Sequence, residues 1–142
     1  MGTWNWTRFE ENHEDGRVER QLREFGCGAA VIVMLLADRK ITSDQLIVSA
    51  GLHLPSTAHE MARRLNEFSR GRHRWAGGHL DLAPPLRPEH TSALGEHGSW
   101  AALLVPHGLR DGHWVVVDGM RENDTAAVRD PVGSSYQKAA WD

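Results

Sequence analysis

Apolar positions recur at helical spacing in the first half of the chain and at strand spacing in the second. Residues 29–38 are apolar almost all round, which predicts a buried helix rather than a surface one. Residues 43–50 predict a second helix, with Thr42, Ser43 and Asp44 offering capping oxygens and Gly51 supplying the stop. A third is expected from Ser56 or Thr57 to Phe68. Its apolar positions Ala58, Met61, Leu65 and Phe68 share one face, and Glu60 can complete a capping box. Residues 71–78 form a glycine- and arginine-rich turn region around Trp75, and residues 82–89 hold three prolines and read as a loop. Strands are predicted at 100–105, 113–118, 126–129 and 135–138, with a turn at 119–124 and three successive valines at 115–117. Residues 1–20 are polar, with Trp4, Trp6 and Phe9 placed to dock one side on the body. Helices first and then short-turn antiparallel strands make an α+β fold, expected as a single domain over residues 1–142.

Composition narrows the classes of function. The 142 residues carry 40% hydrophobic and 25% charged side chains, enough for one core without disulfides or metals. A formal charge of -3 argues against nucleic-acid binding. The basic residues from Arg70 to Arg74 are then expected in a solvated loop. Residues 29–37 are too few to span a bilayer, and residues 1–15 have no apolar core of a signal peptide, so a cytoplasmic location is expected. His53 with His59, and His79 with Asp81, lack any recognised ligand spacing, so neither metal nor cofactor is expected.

The chain has a single cysteine, Cys27, between Gly26 and Gly28 in a tight turn before the first long helix. It is a buried filler, a metal ligand or a reactive thiol. A helix N-terminus lowers a thiol pKa, and flanking glycines let a substrate backbone come close. His113 opens the strand of three valines, where rigid backbone fixes its ring and lets it pair with the thiolate as an imidazolium. Asp130 ends the next strand, 17 residues on, where it can orient the imidazole; an Asp-Pro pair also initiates turns, and both roles are compatible. Gln21, six residues before Cys27, can donate to an oxyanion beside the Cys27 N–H, although a solvated glutamine is the plainer reading of that residue alone. Asp118 is expected in a turn rather than as a second acid.

Gln21, Cys27-Gly28-Ala29-Ala30, His113-Trp114-Val115-Val116-Val117 and Asp130-Pro131 stand in an order and spacing that resembles the papain-like double-glycine peptidases, which trim bacteriocin leaders. The stretches 98–104 and 133–136, with Trp75-Ala76-Gly77-Gly78, look closer still to papain-fold toxin domains of bacterial effectors. The chain departs from the leader peptidases at Gly26, where they usually have a polar or acidic residue. The resemblance implies a papain-like fold and a Cys27–His113–Asp130 triad, with Gln21 in the oxyanion hole. It implies cleavage after small residues, Gly-Gly first, in a narrow cleft. The expected substrate-binding residues are Gly26, Gly28, Trp75, Trp100, Gly112 and Trp114. It also implies delivery into a target cell, a protein or peptide substrate and a cognate immunity protein. The alternatives are a papain-fold glutamine deamidase, a leader-processing peptidase and, outside enzymes, an inactive peptide-binding module.

Overall fold

A computed structural model describes residues 6–8, 17–22, 26–53, 55–78, 94–104, 112–120 and 126–138. Two short strands, β1 (Trp6–Arg8) and β2 (Arg17–Glu19), pair antiparallel. Three helices follow: α1 (Cys27–Asp38), α2 (Gln45–Ala50) and α3 (Ala58–Ser69). A 3-10 turn (Gly95–His97) leads into β3 (Trp100–Leu104), β4 (His113–Met120), β5 (Ala126–Asp130) and β6 (Ser134–Lys138). These four strands form one antiparallel sheet in sequence order. The layout is α+β and papain-like, with N-terminal helices packed on a C-terminal sheet.

The centre of the molecule is α1. Every residue from Cys27 through Leu36 is buried, because α2, α3, β2, β3 and β4 surround it. Ile32, Met34, Leu35 and Leu36 are fully inaccessible, each contributing roughly 1.5–3 kcal/mol of burial. The shorter helices follow their caps. Asp44 accepts the Leu46 N–H at 2.9 Å, and Thr57 and Glu60 form the capping box at the start of α3. The valine run of β4 covers both faces of the sheet. Trp114 and Val116 face α1, whereas Val115 and Val117 join Ala126, Val128, Trp100 and Ala102 on the other side.

The structure departs from the sequence expectations in three places. The N-terminal segment contains a two-stranded sheet, and Val18 and Glu19 of β2 are buried where that strand packs on α1 and β5. The expected turn at 119–124 begins later, because β4 continues to Met120. Its register shifts between Val117 and Gly119, making Asp118 the extra residue of a bulge. Asp118 is therefore a strand residue. The bulge turns its carboxylate onto Arg129, which donates from Nε and from a terminal nitrogen at 2.8 Å each. Arg129 is 2% exposed and also holds Asp38, the last residue of α1, so one guanidinium ties the helix end to two strands.

Candidate active site

Cys27 is the first residue of α1. Its N-cap, Gly26, offers no side-chain acceptor, and the first turn carries no acidic residue. The positive end of the helix is left facing the thiol rather than being neutralised by a cap. Cys27 is only 8% exposed and counts with the core. Its thiol is coupled to the His113 side chain and to the backbone N–H groups of Trp114 and Gly28, all of which favour its ionised form.

Strand pairing brings His113 and Asp130 together. Val116 pairs with Arg129, so Asp130 falls one step further along β5, diagonal to His113 on β4. Diagonal neighbours lie about 7–8 Å apart at Cα, within reach of these side chains. The result is a 2.6 Å hydrogen bond between His113 Nε2 and Asp130 Oδ1. With Nε2 engaged, Nδ1 is the nitrogen left for the sulfur. Asp130 Oδ1 also accepts the Val132 N–H at 3.0 Å, and its carbonyl accepts the Gly133 N–H at 2.9 Å. The Asp-Pro pair thus starts a turn and holds the imidazole with the same carboxylate. Gly133 has φ +104, and the Arg20 guanidinium occupies the space a Cβ would need.

These contacts polarise the pair. His113 is raised from 6.5 to about 10, chiefly by its hydrogen bond to Asp130 and then by that to Cys27, with partial burial opposing. Burial pushes the Cys27 thiol up, but the His113 hydrogen bond, the Trp114 N–H, the His113 charge and the Gly28 N–H together outweigh it. The net effect lowers Cys27 from 9.0. Both shifts favour a thiolate facing an imidazolium over the neutral pair. Such a pair can attack a carbonyl and hand a proton to the leaving group.

Gln21 lies beside this group through its backbone, its N–H donating to the Pro131 carbonyl at 2.7 Å. Gly26 is buried at the N-cap, and Gly112 immediately precedes His113. Gly28 packs closely against α3, where a Cβ would lie 3.0 Å from Met61 Sδ and 3.3 Å from Ser56 Oγ.

The tryptophans are arranged differently from the expected cleft walls. The Trp114 ring is a core residue at 5% exposure, with its Nε1 donating to the Ser56 carbonyl at 2.9 Å. Only its backbone N–H reaches the thiol. Trp100 pairs with Val117, whereas His113 pairs with Leu104. Four residues of strand, about 13 Å, separate their backbone positions. Trp100 also packs with the cluster on the sheet face away from α1. Trp75 donates from Nε1 to Ser69 Oγ at 2.9 Å and stacks under Arg39 at 4.4 Å. Arg39 caps the far end of α1, about 18 Å of helix from Cys27. Trp75 instead lines an open groove of about 690 Å³ along α3, with His59, Arg63, Asn66 and Gly77. Alternation along a strand places a ring on one face, but cannot say which face a distant helix tip abuts.

The sequence places Ser56 and Met61 in or before the third helix but does not signal that both crowd Gly28 or that the Ser56 carbonyl holds the Trp114 ring. Their contacts span 58 residues in the case of Trp114 and Ser56, and no local spacing signals them. Among the described residues, no group of three or more His, Cys, Asp or Glu side chains is arranged to hold a metal ion. Among them, no helix is long and apolar enough to cross a membrane. No family profile matches the chain. The chain spans 25% of the length of a curated protein to which it is similar, the cysteine protease effector 1 of Escherichia coli O1:K1:H7, and is 37% identical to it over 133 residues, 93% of its own length.

Proposed function

We propose that this chain is a papain-like cysteine endopeptidase domain over residues 1–142. Cys27 is the nucleophile, His113 the acid and base, Asp130 the orienting carboxylate and Gln21 an oxyanion donor. The observation that carries the reading is the 2.6 Å hydrogen bond from His113 to Asp130, with His113 coupled on its other side to the Cys27 thiol at an uncapped helix tip. The similarity to a protein named a cysteine protease effector supports the same chemistry and a setting of delivery into another cell.

The thiolate of Cys27 attacks the scissile carbonyl, forming a C–S bond and moving the carbonyl electron pair onto oxygen. The Gln21 amide and the Cys27 N–H hold that oxyanion. His113 gives its proton to the amine as the C–N bond breaks. It then takes a proton from water, whose oxygen attacks the thioester and releases the thiolate. Cleavage follows small residues, with Gly-Gly first. The substrate is a protein inside a rival bacterium, and a producing cell needs an immunity protein against its own enzyme.

The test compares wild type with Cys27→Ala, expressed in bacteria, by mapping protein N-termini. New N-termini made only by wild type and preceded by small residues support the proposal. A glutamine that gains about one dalton in wild type, without cleavage, replaces it with deamidation by the same groups. Neither change, with a Cys27 no more reactive toward a thiol probe than a free cysteine, leaves a peptide-binding module.

A further inference from the structure

One buried polar side chain outside the Cys27–His113–Asp130 series grips the segment that carries Gln21. Gln45, the first residue of α2, is 3% exposed. Its Oε1 accepts the Leu22 N–H at 2.8 Å, and its Nε2 donates to the Arg20 carbonyl at 2.8 Å. The amide thus makes one bond on each side of Gln21 and satisfies both of its ends with backbone. Gln21 itself donates its N–H to Pro131, the residue after Asp130. Three consecutive residues are fixed at three backbone groups, from two directions.

The elements behind these anchors are the ones that carry the reacting groups. α2 packs on α1, whose tip is Cys27, and Pro131 begins the turn held by Asp130. The strap at residues 20–22 is therefore registered against the nucleophile on one side and the orienting carboxylate on the other. An isolated strap of this kind has no reason to need a buried glutamine. Apolar contact does not hold the strap here, because Leu22 is exposed and leaves it little apolar anchorage of its own. A glutamine that reads a carbonyl and an N–H two residues apart fixes the direction in which the residue between them projects.

We propose that Gln45 is a positioning residue for Gln21: its side-chain amide clamps the backbone on both sides of Gln21 and aims that residue's amide at the oxyanion formed on Cys27. The inference rests on the acyl-transfer reading given above. Gln45 touches neither the substrate nor the reacting atoms, and acts through Gln21.

Because Cys27 is the chain's single thiol, two reagents report on it without knowledge of the natural substrate. Acylation by p-nitrophenyl acetate passes through a tetrahedral oxyanion and needs its donors. Alkylation by iodoacetamide forms no oxyanion and reads only the thiolate. Both rates are measured in wild type, Gln21→Ala, Gln45→Met and the double variant. Gln21→Ala is expected to slow acylation by about 100-fold or more. Gln45→Met, which keeps the volume and removes both bonds, is expected to slow acylation by about 10- to 100-fold. Neither should change alkylation, and the double variant should match Gln21→Ala alone. Gln45→Leu, which also removes both bonds, should match Gln45→Met, and it serves if Gln45→Met does not fold.

Equal slowing of both reagents by the Gln45 variants makes the residue merely structural and overturns the proposal. So does independent, multiplicative slowing in the double variant, or unchanged acylation in Gln45→Met when Gln21→Ala is slow. Unchanged acylation in Gln21→Ala itself removes Gln21 from the oxyanion hole, and the role of Gln45 falls with it.

Discussion

Asp130→Asn isolates the charge behind His113 while keeping an oxygen in place to accept its hydrogen bond. The bond is 2.6 Å long, and the Asp130 side chain is only 9% exposed, so solvent screens it little. A hydrogen bond to an ionised group of this kind is worth about 1.5–3 kcal/mol. At about 1.4 kcal/mol per pK unit, losing the charge lowers His113 by about one to two units. The starting value is about 10, and Asp130 is the largest contributor to it. Cys27 responds in the opposite sense. A weaker imidazolium stabilises the thiolate less, so burial, which raises the thiol, is less fully offset. NMR titration of the His113 ring and the ultraviolet absorbance of the Cys27 thiolate read the two groups separately. An Asp130→Asn protein that folds, with the His113 titration unmoved from wild type, would refute the assignment of Asp130 as the source of the polarised pair.

Three further outcomes are expected. The paired groups give opposing slopes of stability against pH: His113, raised, contributes fully below 6.5 and loses this as pH climbs to about 10, whereas Cys27, lowered, contributes fully above 9.0 and loses this as pH falls. Below 9 the Cys27 gain therefore offsets part of the His113 loss, and urea midpoints should fall unopposed only from 9 to about 10, while Cys27→Ser should fall more steeply between 6.5 and 9; identical profiles would exclude the ion pair. Arg129→Met should cost about 3–5 kcal/mol by urea unfolding, because it leaves Asp38 and Asp118 facing each other without their shared cation; a loss under about 1 kcal/mol would mean that water serves them as well. Gly77→Ala places a Cβ 2.2 Å from the Ala58 carbonyl oxygen, against backbone that cannot rotate away, and should cost about 1–3 kcal/mol or more; Gly78→Ala meets nothing within 4 Å and should shift the midpoint by less than about 0.5 kcal/mol.

The sequence by itself determined the elements and the order of the candidate groups. The long apolar run put Cys27 at or next to the start of a buried helix, and Ser56 or Thr57 with Glu60 bounded the start of α3 to within a residue, because caps and 3.6-residue periodicity are local. The valine run after His113 likewise fixed β4, and the turn residues around Asp130-Pro131 fixed where β5 ends. Only the tertiary structure decided what those elements meet. The β4–β5 register set His113 diagonal to Asp130, and the extra residue at Asp118 turned that carboxylate onto Arg129. The fate of the three tryptophans expected in the cleft was also decided there: Trp114 in the core, Trp100 on the opposite sheet face, Trp75 at the far end of α1. The same holds for Gln45, whose helical position says nothing about the strap it grips 23 and 25 residues away. Periodicity and capping act within one turn or one strand and can be read along the chain. Register, bulges and buried amide pairing depend on which distant segments come into contact, and that information exists only once the chain has folded.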